Sequence, residues 1–571
     1  MTQAKELIAK MLFAFAAAIS VAAVLVICIF IFGNGIPAIA EIGFSNFLFG
    51  TTWQPSSDIY GIGVMVLGSF YVMAGALVIG VPLGILCAVF LACFGSDRVS
   101  SIAKNGVQLL AGIPSVVYGF FGLVVLVPFI RSNIGGTGQS ILCASLVLGV
   151  MILPTIITLS ESALRSVPHS YYEGALALGA DHERCVMHVV LPAAASGILA
   201  SVILAIGRAI GETMAVIMIA GNQVKMPSAI TDGVRTMTAN IVLEMGYAAD
   251  LHRGALIGTA CVLFVFILII NFAFSALKRK GGAMANNSIL ARTKPSGPSS
   301  WVFRVLVYAS TVLTVSAVCF IIGYILVMGV PQIKPEMFEL TYNSDNCSFM
   351  PALFNTLIVI VLSVSCSSVF GIGAAIFLNE YTDKGNWFVR VVALATETLS
   401  GIPSIVYGLF GLLFFVYYLQ WGLSLLAGVC TMAIMTFPII MRATQEALAA
   451  VPDLYREGSF GLGAGRFRTV FRIVLPAAIP GILGGIILAI GRTVGESAAL
   501  IYTAGSIAAV PVSMFSSTRT LAVHMYLLAS EGLHIDATYA TAVLLLVFVL
   551  LINLATSAVA KRISKGGMTD E

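Results

Sequence analysis

Long apolar runs separated by short polar breaks dominate the chain. A bilayer core about 30 Å thick takes about 20 apolar residues per helix. Twelve runs meet that length, at roughly 11–33, 63–94, 106–130, 138–160, 193–221, 254–277, 302–330, 352–379, 391–419, 422–445, 477–505 and 539–560. The first is too long and ends too late for a signal peptide, so it reads as a retained helix. Basic residues in the breaks set an orientation. With the N-terminus inside, 22 Lys and Arg fall on the inner side and 6 on the outer, leaving Arg208 and Arg492 within runs. Both termini are therefore expected in the cytoplasm.

The pattern occurs twice. GIPSVVYGFFGL at Gly112 returns as GIPSIVYGLFGL at Gly401, an offset of 289 residues. Pro154, Glu173, Pro192 and Arg208 return as Pro438, Glu457, Pro476 and Arg492, an offset of 284. An even number of spans per half gives both repeats one orientation, with a pseudo-axis along the membrane normal. The expected organisation is one half at 1–280, a second at 301–571, and a Gly-, Ser- and Asn-rich cytoplasmic linker at 281–300. The fold class is an all-α polytopic membrane protein of about twelve helices in two parallel six-helix repeats.

Composition narrows the function classes. The 571 residues are 59% hydrophobic and only 10% charged, which excludes a soluble domain. The basic residues form no aromatic-interleaved stripe, so nucleic acid is not a partner. The ten cysteines include no CxxC pair and the six histidines show no zinc spacing, so no metal site is expected. The chain has no GxxxxGK[ST] loop, and so no nucleotide site of that kind. It reads as a non-enzyme without a bound cofactor.

Against that background two charge pairs stand out. Arg208 and Glu212 lie in LPAAASGILASVILAIGRAIGETMAV; Arg492 and Glu496 lie in LPAAIPGILGGIILAIGRTVGESAAL. A lone charge at the bilayer centre costs at least about 2.5 kcal/mol. The members of each pair are four residues apart, so they are expected to share a helical face and neutralise each other. Two-fold symmetry would bring both pairs to a shared interface, where two guanidinium forks face one oxyanion. A clamp between helices is the other reading of the pairs. The carboxylates favour an anion that keeps a proton, as phosphate does and sulfate does not. Ser115 and Ser404 follow helix-kinking prolines; they are expected to satisfy freed backbone groups, with a place in the substrate pathway as the other reading. Tyr118 and Tyr407 are further candidate donors to the anion. Glu397 stands where the first half has Gln108.

One inner break differs from the rest. It reads EGALALGADHERCVMHVVLP from Glu173 and EGSFGLGAGRFRTVFRIVLP from Glu457. Glycine six residues after the glutamate, Gly179 or Gly463, permits a tight bend. Ala175, Leu176 and Leu178 suit a groove on a partner protein. The spacing is similar to the EAA loop of ABC importer permeases, which docks on the ATPase. Gly174 and Gly458 depart from it at the second position, and Ser459 replaces the alanine that Ala175 keeps. Together with GIPSxVYGxFGL, GRAIGETMAV and GRTVGESAAL, the chain resembles the phosphate-specific ABC permeases, with a PstC-like first half and a PstA-like second half.

That resemblance implies a type I ABC importer fold in a bacterial inner membrane. It implies a transmembrane subunit for inorganic phosphate, two copies of a PstB-like ATPase that use ATP, and a PstS-like extracytoplasmic binding protein. The alternatives are another oxyanion (sulfate, molybdate or phosphonate) or a proton-coupled carrier using Glu212 and Glu496. The outer breaks 222–253 and 506–538 are the expected docking surfaces for the binding protein.

Overall fold

The computed structural model describes residues 2–284, 298–382 and 385–566. Most of the expected linker therefore lies outside the described residues. Among the described residues ten helices are long and apolar enough to cross a membrane, or twelve if each of two bent pairs is one span. The bent pairs are His182–Ala193 with Ala195–Gly211, at 69°, and Trp387–Gly401 with Ser404–Tyr418, at 102°. Counted so, each repeat has six. The one sheet among the described residues is a small hairpin, Trp53–Gln54 paired with Ile59–Tyr60.

The compact units are not the two repeats. One holds residues 37–331, the other residues 1–36 with 332–571. Helix Pro298–Gly329 opens the second repeat, yet it belongs with the body of the first. Helix Thr2–Ile42 opens the chain, yet its residues up to 36 belong with the body of the second. Aromatic rings secure both. Phe320 and Tyr324 meet Phe121 edge-on at 5.7 and 5.9 Å, and Tyr308 meets Phe90 at 5.1 Å. In the other unit Phe30 meets Phe414 at 5.0 Å, and Phe13 lies 5.8 Å from Tyr381. The repeat thus divides the sequence at one place and the packing of the chain divides it at another.

Small residues bring the central helices together, as they do where lipid removes the hydrophobic drive between helices. Helix Gly63–Val89 runs against Ile141–Arg165, where a Cβ at Gly84 would stand 2.7 Å from Ile156. In the second unit Leu475–Gly495 runs against Leu425–Ala449. There a Cβ at Gly481 would stand 2.5 Å from the Ala447 Cβ, and one at Gly485 would meet Ala443. Gly485→Val should lower the unfolding midpoint in detergent, at a cost of about 1–3 kcal/mol from overpacking. Gly484→Val, at a position with nothing within 4 Å, should shift it far less.

Two expected spans are corrected here. The runs at 106–130 and 391–419 are not kinked helices; each is broken. Helix Asp97–Gly112 ends, Ile113 and Pro114 are extended, and a new helix starts at Ser115. Helix Trp387–Gly401 ends in the same way before Ser404. Proline removes an N–H and pushes its predecessor out of the helical region.

Candidate functional site

The Gly-Ile-Pro-Ser breaks are fastened by the tyrosines that follow them. The Tyr118 hydroxyl donates back across the break to the Leu110 carbonyl at 2.7 Å. Tyr407 donates to the Leu399 carbonyl at 2.6 Å. Both rings are fully buried. Their hydroxyls hold the bend, so the structure gives them a different task from the expected donation to an anion. Ser115 and Ser404 take the first helical position after the prolines, and Ser115 faces the Glu212 carboxylate.

The charge pairs sit where helices end. Helix Ala195–Gly211 stops after Arg208, and Glu212 is extended at φ −69°, ψ 134°. A short helix, Met214–Ile219, then restarts, and Glu212 Oε1 accepts the Ala215 N–H at 3.3 Å. The second repeat does the same: Leu475–Gly495 stops, Glu496 is extended, and its Oε1 accepts the Ala499 N–H at 3.1 Å. The expected continuous span 193–221 is corrected accordingly. Arg208 and Glu212 do not share a helical face, because the chain unwinds between them. The glutamate serves as a cap for the next helix, satisfying an amide that the break exposes. Arg208 donates through Nη1 to the Thr155 hydroxyl of helix Ile141–Arg165 at 3.2 Å. Thr155 carries no sequence signal that singles it out.

Helix breaks at membrane depth are tolerated where the backbone is buried in protein or lines a polar cavity. Each arginine sits at a helix C-terminus, where a cation is favoured by the helix dipole. The two turns therefore offer a guanidinium on the last helical turn and a carboxylate just beyond it.

The inner loops form a second element. Helix His169–Ala177 carries Glu173, Gly174 and Ala175, and helix Asp453–Gly461 carries Glu457, Gly458 and Ser459. Each helix ends in a bend at Gly179 or Gly463, with φ of +81° and +80°. That backbone region disfavours a Cβ, so glycine is required there. Gly174 and Gly458 have open space around them, so alanine would fit. The serine that departs from the pattern has a partner: Ser459 Oγ lies 2.8 Å from Thr469 Oγ1. Leu178 is 75% exposed and Leu462 is 91% exposed, just before the bends. An isolated exposed leucine means little; here the two stand in equivalent positions on equivalent loops.

The loops are anchored differently. In the second repeat Arg456 binds Glu380 at 2.8 Å and donates to the Leu448 and Val451 carbonyls. Hydrogen bonds to Glu380 hold this guanidinium above its ordinary range. In the first repeat Tyr172 meets His182 at 2.8 Å, and Glu183 binds Arg304 of the helix opening the second repeat. Glu161, buried, takes Lys104 and Arg165 at 3.0 and 2.9 Å. These anchors were not anticipated; acids at the ends of apolar runs (Glu161, Glu380) are the signal that points to them. Glu397 lies exposed on helix Trp387–Gly401.

Comparison with known proteins settles the family. A model of the binding-protein-dependent transport system inner membrane component matches residues 80–280 and again 367–565. The chain belongs to this family. It carries the family's domain twice, as the offsets in the sequence require. Members are permeases, the membrane components of ABC transporters, and the family description itself names a binding protein. Probable ABC transporter permease protein YqgH of Bacillus subtilis is 38% identical over 48% of this chain and 93% of its own length. The phosphate transport system permease protein PstA homolog of Mycoplasma pneumoniae is 25% identical over 90% of this chain and 89% of its own. Phosphate transport system permease protein PstC of Mesorhizobium japonicum is 31% identical over 43% of this chain and 81% of its own. Relatives of the PstC and PstA types both align, in keeping with a chain that joins two permease halves.

Proposed function

We propose that the chain is the membrane-spanning subunit of an ATP-driven importer for inorganic phosphate, with both permease halves in one polypeptide. The observation that carries this reading is the pair of equivalent Arg-then-Glu helix breaks, in a permease whose relatives are named for phosphate transport. Arg208 and Arg492 are the groups the anion meets. A planar fork matches two phosphate oxygens, and charge assistance roughly doubles each hydrogen bond. Glu212 and Glu496 act on the protonated oxygen. A carboxylate has about four lone-pair sites, so capping a helix leaves room for a P–OH donor. Sulfate brings no such proton and is repelled.

The exposed loops at Glu173–Gly179 and Glu457–Gly463 are the surfaces for two ATPase subunits. ATP is bound and hydrolysed there, not on this chain. The orientation then follows: loops and termini in the cytoplasm, and the segments 222–253 and 506–538 facing a phosphate-binding protein outside. Binding-protein docking and ATP-driven closure shift the equilibrium between two states of the permease, each ligand acting through its preference for one of them.

The test is phosphate uptake into liposomes holding the purified chain, its ATPase and its binding protein. Uptake should require ATP and ignore excess sulfate. Uptake that follows a proton gradient without ATP would overturn the reading and make Glu212 and Glu496 proton carriers.

A further inference from the structure

The duplication allows a comparison between the two outer segments. In the first repeat Arg235 is enclosed by partners. It donates to Glu244 and Asn240 through Nη1 and to the Asn222 carbonyl through Nε. Glu244 also takes Trp53 Nε1 and His252 Nε2, each at 2.8 Å. The cation is largely enclosed, with a side chain 17% exposed, and the chain supplies its counter-charge. Thr236, next to it, caps helix Met237–Glu244 by accepting the Ala239 N–H.

The equivalent residues of the second repeat, 284 positions on, are Arg519, Thr520, His524 and Leu528. Arginine is kept and the acid is not. Arg519 is 5% exposed, and Leu528 is fully buried. The Arg519 guanidinium lies 4.3 Å over the Tyr342 ring, which covers one of its faces. Its Nε and Nη2 have no hydrogen-bond partner among the described residues. These two atoms form one edge of the guanidinium, the edge whose parallel N–H bonds fit the two oxygens of a carboxylate or phosphate. Thr520 makes no side-chain cap on helix Leu521–Glu531, and its hydroxyl is buried without a partner, as is that of Thr518. Thr356 Oγ1 accepts the Leu521 N–H at 2.8 Å, and the remaining first-turn amides of this eleven-residue helix add positive potential near the arginine. His524 lies on the same ring, 5.8 Å from Tyr342. Burial, then the Arg519 charge, push its imidazole down to about 3, so Arg519 is the charge to be answered.

A buried cation without a counter-charge is strongly unfavourable, and the first repeat shows how this fold answers it. We propose that the outer segment of the second repeat holds a small oxyanion, phosphate or a simple carboxylate from solvent, on the Nε–Nη2 edge of Arg519. The anion takes the electrostatic place that Glu244 fills in the first repeat. This site is separate from the turns at Arg208 and Arg492 and does not depend on their role.

Thermal unfolding of the full chain in detergent tests this. The background carries Arg208→Gln and Arg492→Gln, so those groups contribute nothing. Chloride, acetate and phosphate are compared at equal ionic strength. A ligand bound only by the folded state raises the midpoint with its concentration. Phosphate should raise it by several degrees over chloride. A matching rise with acetate assigns a general carboxylate-or-phosphate edge; no rise with acetate assigns a tetrahedral oxyanion. Leu528→Glu supplies the missing acid from within, so it should raise the midpoint in chloride and abolish the response to phosphate. Equal midpoints in all three salts, or a Leu528→Glu variant that still responds as its parent does, would overturn the proposal.

Discussion

Replacing Arg492 or Arg208 by glutamine should reduce ATP-driven phosphate uptake about a hundredfold, from the loss of a charge-assisted pair worth about 3 kcal/mol. Binding-protein-stimulated ATP hydrolysis should persist, because the change lies on the far side of a span from the inner loops. The companion substitution separates charge from architecture. Glu212→Gln and Glu496→Gln keep an amide oxygen to accept the Ala215 and Ala499 N–H groups, so both helix restarts survive. What they remove is the negative charge. Each should therefore leave folding intact and let sulfate compete with phosphate during uptake. Normal transport by either arginine variant would sink the substrate role and leave the guanidinium as a helix-end clamp, as its bond to Thr155 would allow.

Leu462→Asp should release the ATPase from the second loop, and Leu178→Asp from the first. A fully buried leucine contributes about 1.5–3 kcal/mol to an apolar contact, and a carboxylate placed there adds a desolvation cost. Affinity should fall at least tenfold per loop, read by co-purification of ATPase with permease and by loss of stimulated hydrolysis. Leu462 is the more exposed, so it should give the larger effect. Gly463→Val should behave similarly by a different route, because valine resists the left-handed backbone of the bend. Gly458→Ala, with open space around it, should change neither binding nor hydrolysis. Retention of full ATPase binding by Leu462→Asp would show that these loops are not the coupling surface.

Much of this was legible in the sequence because it depends on local pattern. Apolar length gives the spans. The two offsets give the duplication and mark Arg208 with Arg492 and Gly179 with Gly463. The breaks were less legible. Proline announces a disturbance, but whether a helix kinks or turns through 102° depends on an added fastening. Here that fastening is a tyrosine hydroxyl reaching a carbonyl eight residues back. The Arg–Glu spacing misled for a related reason. A four-residue separation implies a shared face only if the helix continues. Gly211 and Gly495 end it, and a glutamate that caps the next helix competes with one that pairs along the old one. The affiliation of the two opening helices was not legible at all, since every apolar helix carries a lipid-compatible surface and hydropathy does not say which neighbour it will choose.

That affiliation sets an order of events during synthesis. Residues 1–36 emerge well before the body they join, which begins at residue 332. At about 5–20 residues per second, the interval is roughly 15–60 s. Over that time the opening helix sits in the bilayer without its final neighbours. The unit formed by 37–331 completes earlier, as soon as helix Pro298–Gly329 is inserted. The opening helix is therefore exposed longest to membrane chaperones and proteases, and substitutions in its Phe13 and Phe30 contacts should act on yield before they act on transport.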